Sequence, residues 1–251
     1  MHKREGKIIV PEESEKRIES LDSIKSILLE NIDYLGERWA SHLPLFLGSS
    51  EIARMLWLNT VYQAAINVPG SLVEFGSQWG ASLNQFNMFR LIYEPWNVSR
   101  KIIGFSLFEK GFKDVSEADG KLAREGDYSV KKNWETILDK ILSLNQYPSP
   151  TGKNHKIIEG DVSGTFEKYL HENPELVISH AHFDLDIYTP TKNILAKVAE
   201  RMPKGAVMIF DEINHPGFPG ETLALHEVFG INKIALRKST YQPYSCYFVI
   251  E

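Results

Sequence analysis

Ser71-Leu72-Val73-Glu74-Phe75-Gly76-Ser77-Gln78-Trp79-Gly80-Ala81-Ser82 joins a short apolar run to a glycine-punctuated turn, and a helical pattern follows to about Tyr93. An apolar run of this length, bounded by turn residues, predicts a buried strand opening through a tight turn into a helix. Such a strand, turn and helix form a cradle, because the first backbone N–H groups of the helix lack partners within it and point at whatever sits in front. Gly76 is expected to give a ligand room against the backbone, and Gly80 to let the turn close. Alone, Gly76-x-x-x-Gly80 describes many ordinary βα turns. Its meaning depends on what the other strands carry to the same edge.

Working outward, Lys101 to Ser106 predicts a second strand, His155 to Asp161 a third, Leu176 to Asp184 a fourth and Ala206 to Glu212 a fifth. Helical patterns lie between them, at Gly164 to Glu172, Thr191 to Arg201 and Glu221 to Phe229. Alternation of this kind implies a parallel sheet covered on both faces. The run Lys233 to Leu236 and the run Ser245 to Ile250, joined by a turn around Gln242 and Pro243, predict an antiparallel closing hairpin. The fold class expected is therefore a doubly wound, Rossmann-like α/β sheet of about seven strands. Residues 1–70 read as a helical N-terminal extension, with a tail up to Pro11, then helices from Ser14 to Ile32 and from Ser50 to Asn67. Residues 71–251 read as the main domain. Within it, 109–154 is polar, breaks the strand-helix rhythm and is expected to be an inserted lid, with one helical segment near Val130 to Leu144.

The 251 residues, 43% hydrophobic and 24% charged, suffice for one well-buried core. A formal net charge of -5 argues against a nucleic-acid surface, which needs a basic stripe. The single cysteine, Cys246, excludes an intrachain disulfide and a cysteine zinc cluster. The charged start of the chain, with no long apolar stretch behind it, gives the expectation of a cytoplasmic protein without a membrane span.

In an open α/β sheet, ligands bind beyond the carboxyl ends of the strands, where strand order reverses. The residues predicted there are Glu74 and Gly76, Ser106, Gly160 and Asp161, Asp184 and Asp186, and Asp211 and Glu212. Five strand ends carrying polar or acidic groups to one edge are a concentration. The pattern resembles the class I S-adenosylmethionine-dependent methyltransferases and, within them, the macrocin O-methyltransferase family, which methylates sugars of natural products. The matching stretches are Val73 to Ser82, Gly160-Asp161-Val162, Phe183-Asp184-Leu185-Asp186-Ile187-Tyr188 with Thr191, Gly205 to Glu212, and Pro216 to Glu221.

The resemblance implies that Gly76 and Gly80 let the cofactor, S-adenosylmethionine, lie against the backbone, with Glu74 and Ser82 offering polar contacts and Asp161 meeting the adenine. Ser106 stands where the family ends its second strand in an acid. A serine makes one hydrogen bond to a ribose where a carboxylate makes a charge-assisted pair, so a catalytically silent cofactor-binding module stays open as a reading. The resemblance further implies that Asp184, Asp211 and Glu212 hold a divalent cation, Glu212 being an acid where aspartate is usual. Three hard oxygen ligands suit magnesium better than zinc. A cation is chemically useful here. Deprotonating an alcohol of pKa ~15.7 at neutral pH costs about 11 to 12 kcal/mol, at ~1.36 kcal/mol per unit.

His215, just after the Asp211-Glu212 pair, is the expected general base, with Asp184 the other catalytic candidate. The acceptor expected is a sugar hydroxyl on a natural product or surface saccharide, and the assembly a homodimer or higher oligomer. A competing reading takes His180, His182 and Asp184 as ligands of a dinuclear metallohydrolase. It leaves the turn from Gly76 to Gly80 without a purpose.

Overall fold

The computed structural model of the chain describes residues 15–146 and 149–251. The tail expected before Pro11 lies outside them. Seven strands form one sheet: β1 (Ser71–Phe75), β2 (Ile102–Ser106), β3 (His155–Glu159), β4 (Ile178–Phe183), β5 (Val207–Phe210), β6 (Arg237–Lys238) and β7 (Cys246–Val249). Their order is β3-β2-β1-β4-β5-β7-β6, with β1 to β5 parallel and β7 antiparallel to both β5 and β6. The chain leaves β1 toward β2 and β3, then returns to β4 on the other side of β1. The reversal therefore falls between β1 and β4, and a crevice opens beyond their carboxyl ends.

Every residue of β1, β4 and β5 is buried, which explains why these strands read as continuous apolar runs. Successive side chains alternate between two cores. Val73, Phe75, Ala181, Phe183, Met208 and Phe210 join Phe166 of α6 (Val162–Glu172) and Leu195 of α7 (Tyr188–Ala199), with Leu225 of α8 (Gly220–Phe229). Leu72, Val207 and Ile209 face the other way, onto Trp57 and Leu58 of α3 (Ser49–Ala64), Phe86 of α4 (Ala81–Tyr93) and Leu142 of α5 (Trp134–Asn145). Before α3 run α1 (Glu15–Asn31) and α2 (Trp39–His42), where no described side chain is fully buried. Among the described residues no helix is long and apolar enough to cross a membrane.

The segment 109–154 divides in two. Its helix α5 is the crossover between the parallel strands β2 and β3 and buries Leu138 and Leu142. The preceding stretch carries short 3-10 turns at Phe108–Lys110 and Glu117–Asp119, and packs Phe112, Leu122 and Tyr128 against Ile187 and Phe218. The closing hairpin also differs in detail. Residues Lys233 to Leu236, expected as a strand, leave a 3-10 turn at Ile231–Lys233 and pack Ile234 and Leu236 on the core from a loop. Their apolar character serves that packing, and β6 begins at the next residue, Arg237.

Candidate active site at the carboxyl ends of β1, β4 and β5

A cleft opens at the β1/β4 crevice, walled by Gly76 to Ser82, Ser106, residues 111–113, Tyr128, Asp161, and Asp184 to Ile187. Four residues of this wall hold positive φ without being glycine: Gln78 (44°), Phe108 (49°), Tyr128 (60°) and Asp186 (61°). Left-handed backbone at non-glycine residues is sterically costly and gathers where surrounding structure over-determines it, as at ligand sites. Here those constraints are visible. Gln78 N–H donates to Ser106 Oγ at 3.2 Å, and Gln78 Nε2 donates to the Tyr128 carbonyl at 3.3 Å, tying the turn to the stretch after β2.

Gly80 closes the turn as expected, at φ 81° and with its N–H donating to the Ser77 carbonyl at 2.6 Å, whereas Gly76 is fixed by a neighbouring backbone. A Cβ on Gly76 (φ 98°) would stand 1.7 Å from the Asp184 carbonyl oxygen, and one on Gly80 (φ 81°) 2.3 Å from the Leu138 side chain. Close approach of the backbone after β4 demands the first, and positive φ favours glycine at the second. Glu74 is likewise placed otherwise than expected. It lies opposite His182 in the β1/β4 register, is fully buried, and its Oε1 is 3.0 Å from His182 Nδ1. Glu74 is not part of the cleft wall. Ser82, Ser106 and Asp161 are. Ser106 Oγ also accepts from Phe108 N–H at 3.3 Å, so its hydroxyl organises the turn. Asp161 caps α6 by accepting from Ser163 N–H at 2.9 Å, and its second oxygen meets Lys113 Nζ at 2.7 Å. Burial works against its charge, but these bonds hold the Asp161 carboxyl below its ordinary value.

Beside the cradle stands the acidic cluster. Single carboxylate oxygens of Asp184, Asp186 and Glu212 lie within 4.8 Å of one another. Burial, then the charge of Asp211, push Asp184 up to about 8. Burial and the same neighbour push Asp186 up to about 6, and burial with the charges of Asp186 and Asp211 raises Glu212. Asp211 differs. Its Oδ1 accepts from Arg54 and from Ser245 Oγ at 3.0 Å, and stands 4.0 Å from His182 Nε2. Burial opposes its charge, yet Arg54 and His182 hold the Asp211 carboxyl far below its ordinary value. Arg54 Nη2 also donates to Asp184 Oδ2 at 3.1 Å and to Ser82 Oγ at 3.2 Å. His182 is buried, which disfavours its charge, but Asp211 and Glu74 push it up to about 10.

Donor chemistry fits a hard cation. The side-chain oxygens are all carboxylate, and Glu212 Oε2 is buried with no hydrogen-bond partner among the described residues. The histidine pair does not fit a dinuclear hydrolase. His180 Nε2 is 2.8 Å from the Tyr62 carbonyl and Nδ1 2.8 Å from Ser179 Oγ, and burial lowers it to about 3. Both ring nitrogens are committed within the core. His215 stands outside the cleft wall, and its Nδ1 accepts from Gly217 N–H at 3.0 Å and Phe218 N–H at 3.1 Å, leaving Nε2 for chemistry.

No family model and no curated protein sequence matches the chain. Solved structures do. The crystal structure of CalS11, a calicheamicin methyltransferase, aligns over 97% of this chain and 94% of its own at 34% identity, with a TM-score of 0.89. The chain belongs to the sugar O-methyltransferases of the class I S-adenosylmethionine-dependent fold. An apo structure of CalS11, described as a TDP-rhamnose 3'-O-methyltransferase, aligns over 97% of this chain and 96% of its own at 30% identity, with a TM-score of 0.81. The O-methyltransferase NovP, at 19% identity over 79% of this chain and 80% of its own, shares the fold with a TM-score of 0.61.

Two groups of this methyltransferase escaped the sequence reading. Arg54 reaches the site from α3, outside the sheet, where no spacing links it to the strand ends. Glu221, at the start of α8, is fully buried and accepts from Leu185 N–H at 2.9 Å, Asp186 N–H at 3.2 Å and Glu212 N–H at 3.3 Å. It holds the loops after β4 and β5 together. The one available signal was an acid directly after Gly220, in a stretch already matched to the family.

Proposed function

We propose that this sugar O-methyltransferase acts on a hydroxyl of a nucleotide-linked hexose, with a divalent cation, magnesium by preference, held by the acidic cluster, and with S-adenosylmethionine lying along the cradle from Gly76 to Gly80. The observation that carries the cation is the partnerless, buried Glu212 Oε2 among the carboxylates of Asp184 and Asp186. The nucleotide-linked acceptor rests on full-length similarity to CalS11.

S-adenosylmethionine, when bound, supplies a methyl group on a positively charged sulfur: the acceptor oxygen forms the C–O bond as the C–S bond breaks, and sulfur keeps the electron pair. The cation, when bound, supplies charge that offsets the negative charge growing on the acceptor oxygen. This chain's own residues do the positioning. The N–H groups at the start of α4 and the Asp161 carboxylate, both at the cleft wall, would hold the cofactor, the latter by accepting from the adenine amine, while Ser106 holds the turn. Half-exposed Trp79 offers a flat face at the cleft wall. Asp184 faces the cleft, and Asp186 and Glu212 complete the carboxylate set. His215 is the candidate base from beside the cleft: Nδ1 is held by the turn, and Nε2 is the ring nitrogen that would take the hydroxyl proton.

Incubation with S-adenosylmethionine, magnesium and a panel of TDP-hexoses, read by mass spectrometry, is expected to give a singly methylated sugar nucleotide. Asp211→Asn is expected to abolish turnover while S-adenosylhomocysteine still binds by calorimetry. His215→Gln is expected to cost about 10²-fold in kcat, the range for a positioned base, and a loss under about tenfold would give the proton to Asp184. Cofactor-product binding with no sugar of any kind methylated would leave only the silent module.

A further inference from the structure

The set of acids expected to hold a cation was Asp184, Asp211 and Glu212, whereas the set whose oxygens converge is Asp184, Asp186 and Glu212. The two differ by one residue, Asp211, which is bonded to Arg54 as Asp184 is. Its guanidinium lies between the ends of β4 and β5, donating through Nη1 to Asp211 and through Nη2 to Asp184 at 3.1 Å. Asp211 Oδ1 is thereby committed, and Ser245 Oγ at 3.0 Å shares it. An arginine stays charged at any working pH, so this positive charge is permanent. It is also carried by a helix that does not belong to the sheet. Arg54 sits one turn before Trp57 and Leu58, the side chains that seat α3 on the sheet. Ser82 Oγ in the first turn of α4, at 3.2 Å, completes its contacts, so the guanidinium spans the gap between the cradle and the acids.

We propose that Arg54 and the divalent cation compete for Asp184 and Asp211, so that the metal gains Asp211 only as the guanidinium leaves, and metal occupancy is coupled to the seating of α3. This rests on the cation reading above and adds its control. Two positive ions cannot share the same two carboxylates without repelling each other, and of the converging acids only Asp184 is hydrogen-bonded to Arg54, so an incoming cation finds Asp186 and Glu212 free of that guanidinium's hydrogen bonds. The guanidinium bridges Asp184 and Asp211 until a cation replaces it.

The test is manganese binding to the full-length protein, by isothermal titration and by the loss of free Mn2+ signal in electron paramagnetic resonance. Wild type is compared with Arg54→Gln and Arg54→Lys, folding being checked by circular dichroism. Competition predicts that Arg54→Gln binds Mn2+ at least tenfold more tightly than wild type, with Arg54→Lys between them. Equal or weaker binding by Arg54→Gln, with wild type binding normally, overturns the competition but leaves the cation site standing. No binding by either overturns both. Should Arg54→Gln fail to fold, amide exchange in wild type decides: Mn2+ should speed exchange in residues 49–64 near Arg54, and unchanged exchange at saturating Mn2+ overturns the proposal.

Discussion

At its amino-terminal edge the sheet is fastened by Arg100, whose buried guanidinium donates to the carbonyls of Ile66, Val68 and Gly70 at 2.8 to 3.0 Å, to Glu94 at 2.6 Å and to Ser179. Removing it takes the donor from the Ile66 and Val68 carbonyls and the opposing charge from Glu94, which keeps its hydrogen bonds from Tyr62 and Asn97. Arg100→Met should therefore cost about 3 to 5 kcal/mol, the range for breaking one side of a buried ion pair, measured by urea unfolding; a loss under about 1 kcal/mol would mean water replaces the network. His180, close by, gives a pH signature. Its folded value of about 3 lies below the ordinary 6.5 because burial disfavours its charge, with Arg100 adding to the effect and the Tyr62 carbonyl and Glu94 opposing it. The unfolded chain then binds the extra proton, so the stability His180 contributes is full above its unfolded value and lost as pH falls through the window from 6.5 toward 3. The raised acids of the site act in the opposite sense, so the difference between variants is the readout. The stability gap between wild type and His180→Asn should change, to the disadvantage of wild type, by about 1.4 kcal/mol per pH unit below the ordinary histidine value, and a gap constant with pH would contradict this.

Strand β1, its turn and α4 were legible because their information is local: a run of apolar residues, two glycines and a helical period within a few turns of chain. The carboxylates at the ends of β4 and β5 were legible for the same reason, each closing an apolar run. The physical role of Gly76 was not, because it depends on the Asp184 carbonyl, brought beside it only by pairing of β1 with β4. Gly76→Ala should accordingly lower the unfolding temperature and weaken S-adenosylhomocysteine binding by more than tenfold, since the strand end and cradle share that contact. Calorimetry and thermal unfolding would contradict this if both were unchanged. Within 109–154 the helix expected near Val130 to Leu144 is α5 (Trp134–Asn145), but its place against the sheet was not legible. The helix buries only one side, Leu138 and Leu142, and therefore reads as surface although it is the crossover that makes β2 and β3 parallel.

Over the whole molecule, the net charge of -5 gives no hint that acids gather at one crevice. Asp184, Asp186, Asp211, Glu212 and Glu221 meet there, and Arg54 and His182 supply the positive groups against them. Arg54 and Asp211 are 157 residues apart, and such pairing leaves no trace in periodicity or composition. Glu74 and His182 likewise became partners only through the register of β1 against β4. The account depends on one crevice serving both ligands, the cofactor on the turn after β1 and the cation among the acids after β4 and β5. Crystals grown with S-adenosylhomocysteine and manganese, measured at the manganese edge, test it most directly. The account predicts an anomalous peak about 2.0 to 2.2 Å from carboxylate oxygens of Asp184 and Glu212, close to the spacing of small hard cations, with the nucleoside lying along Gly76 to Gly80. Manganese elsewhere in the molecule, or the nucleoside bound away from that turn, would contradict it.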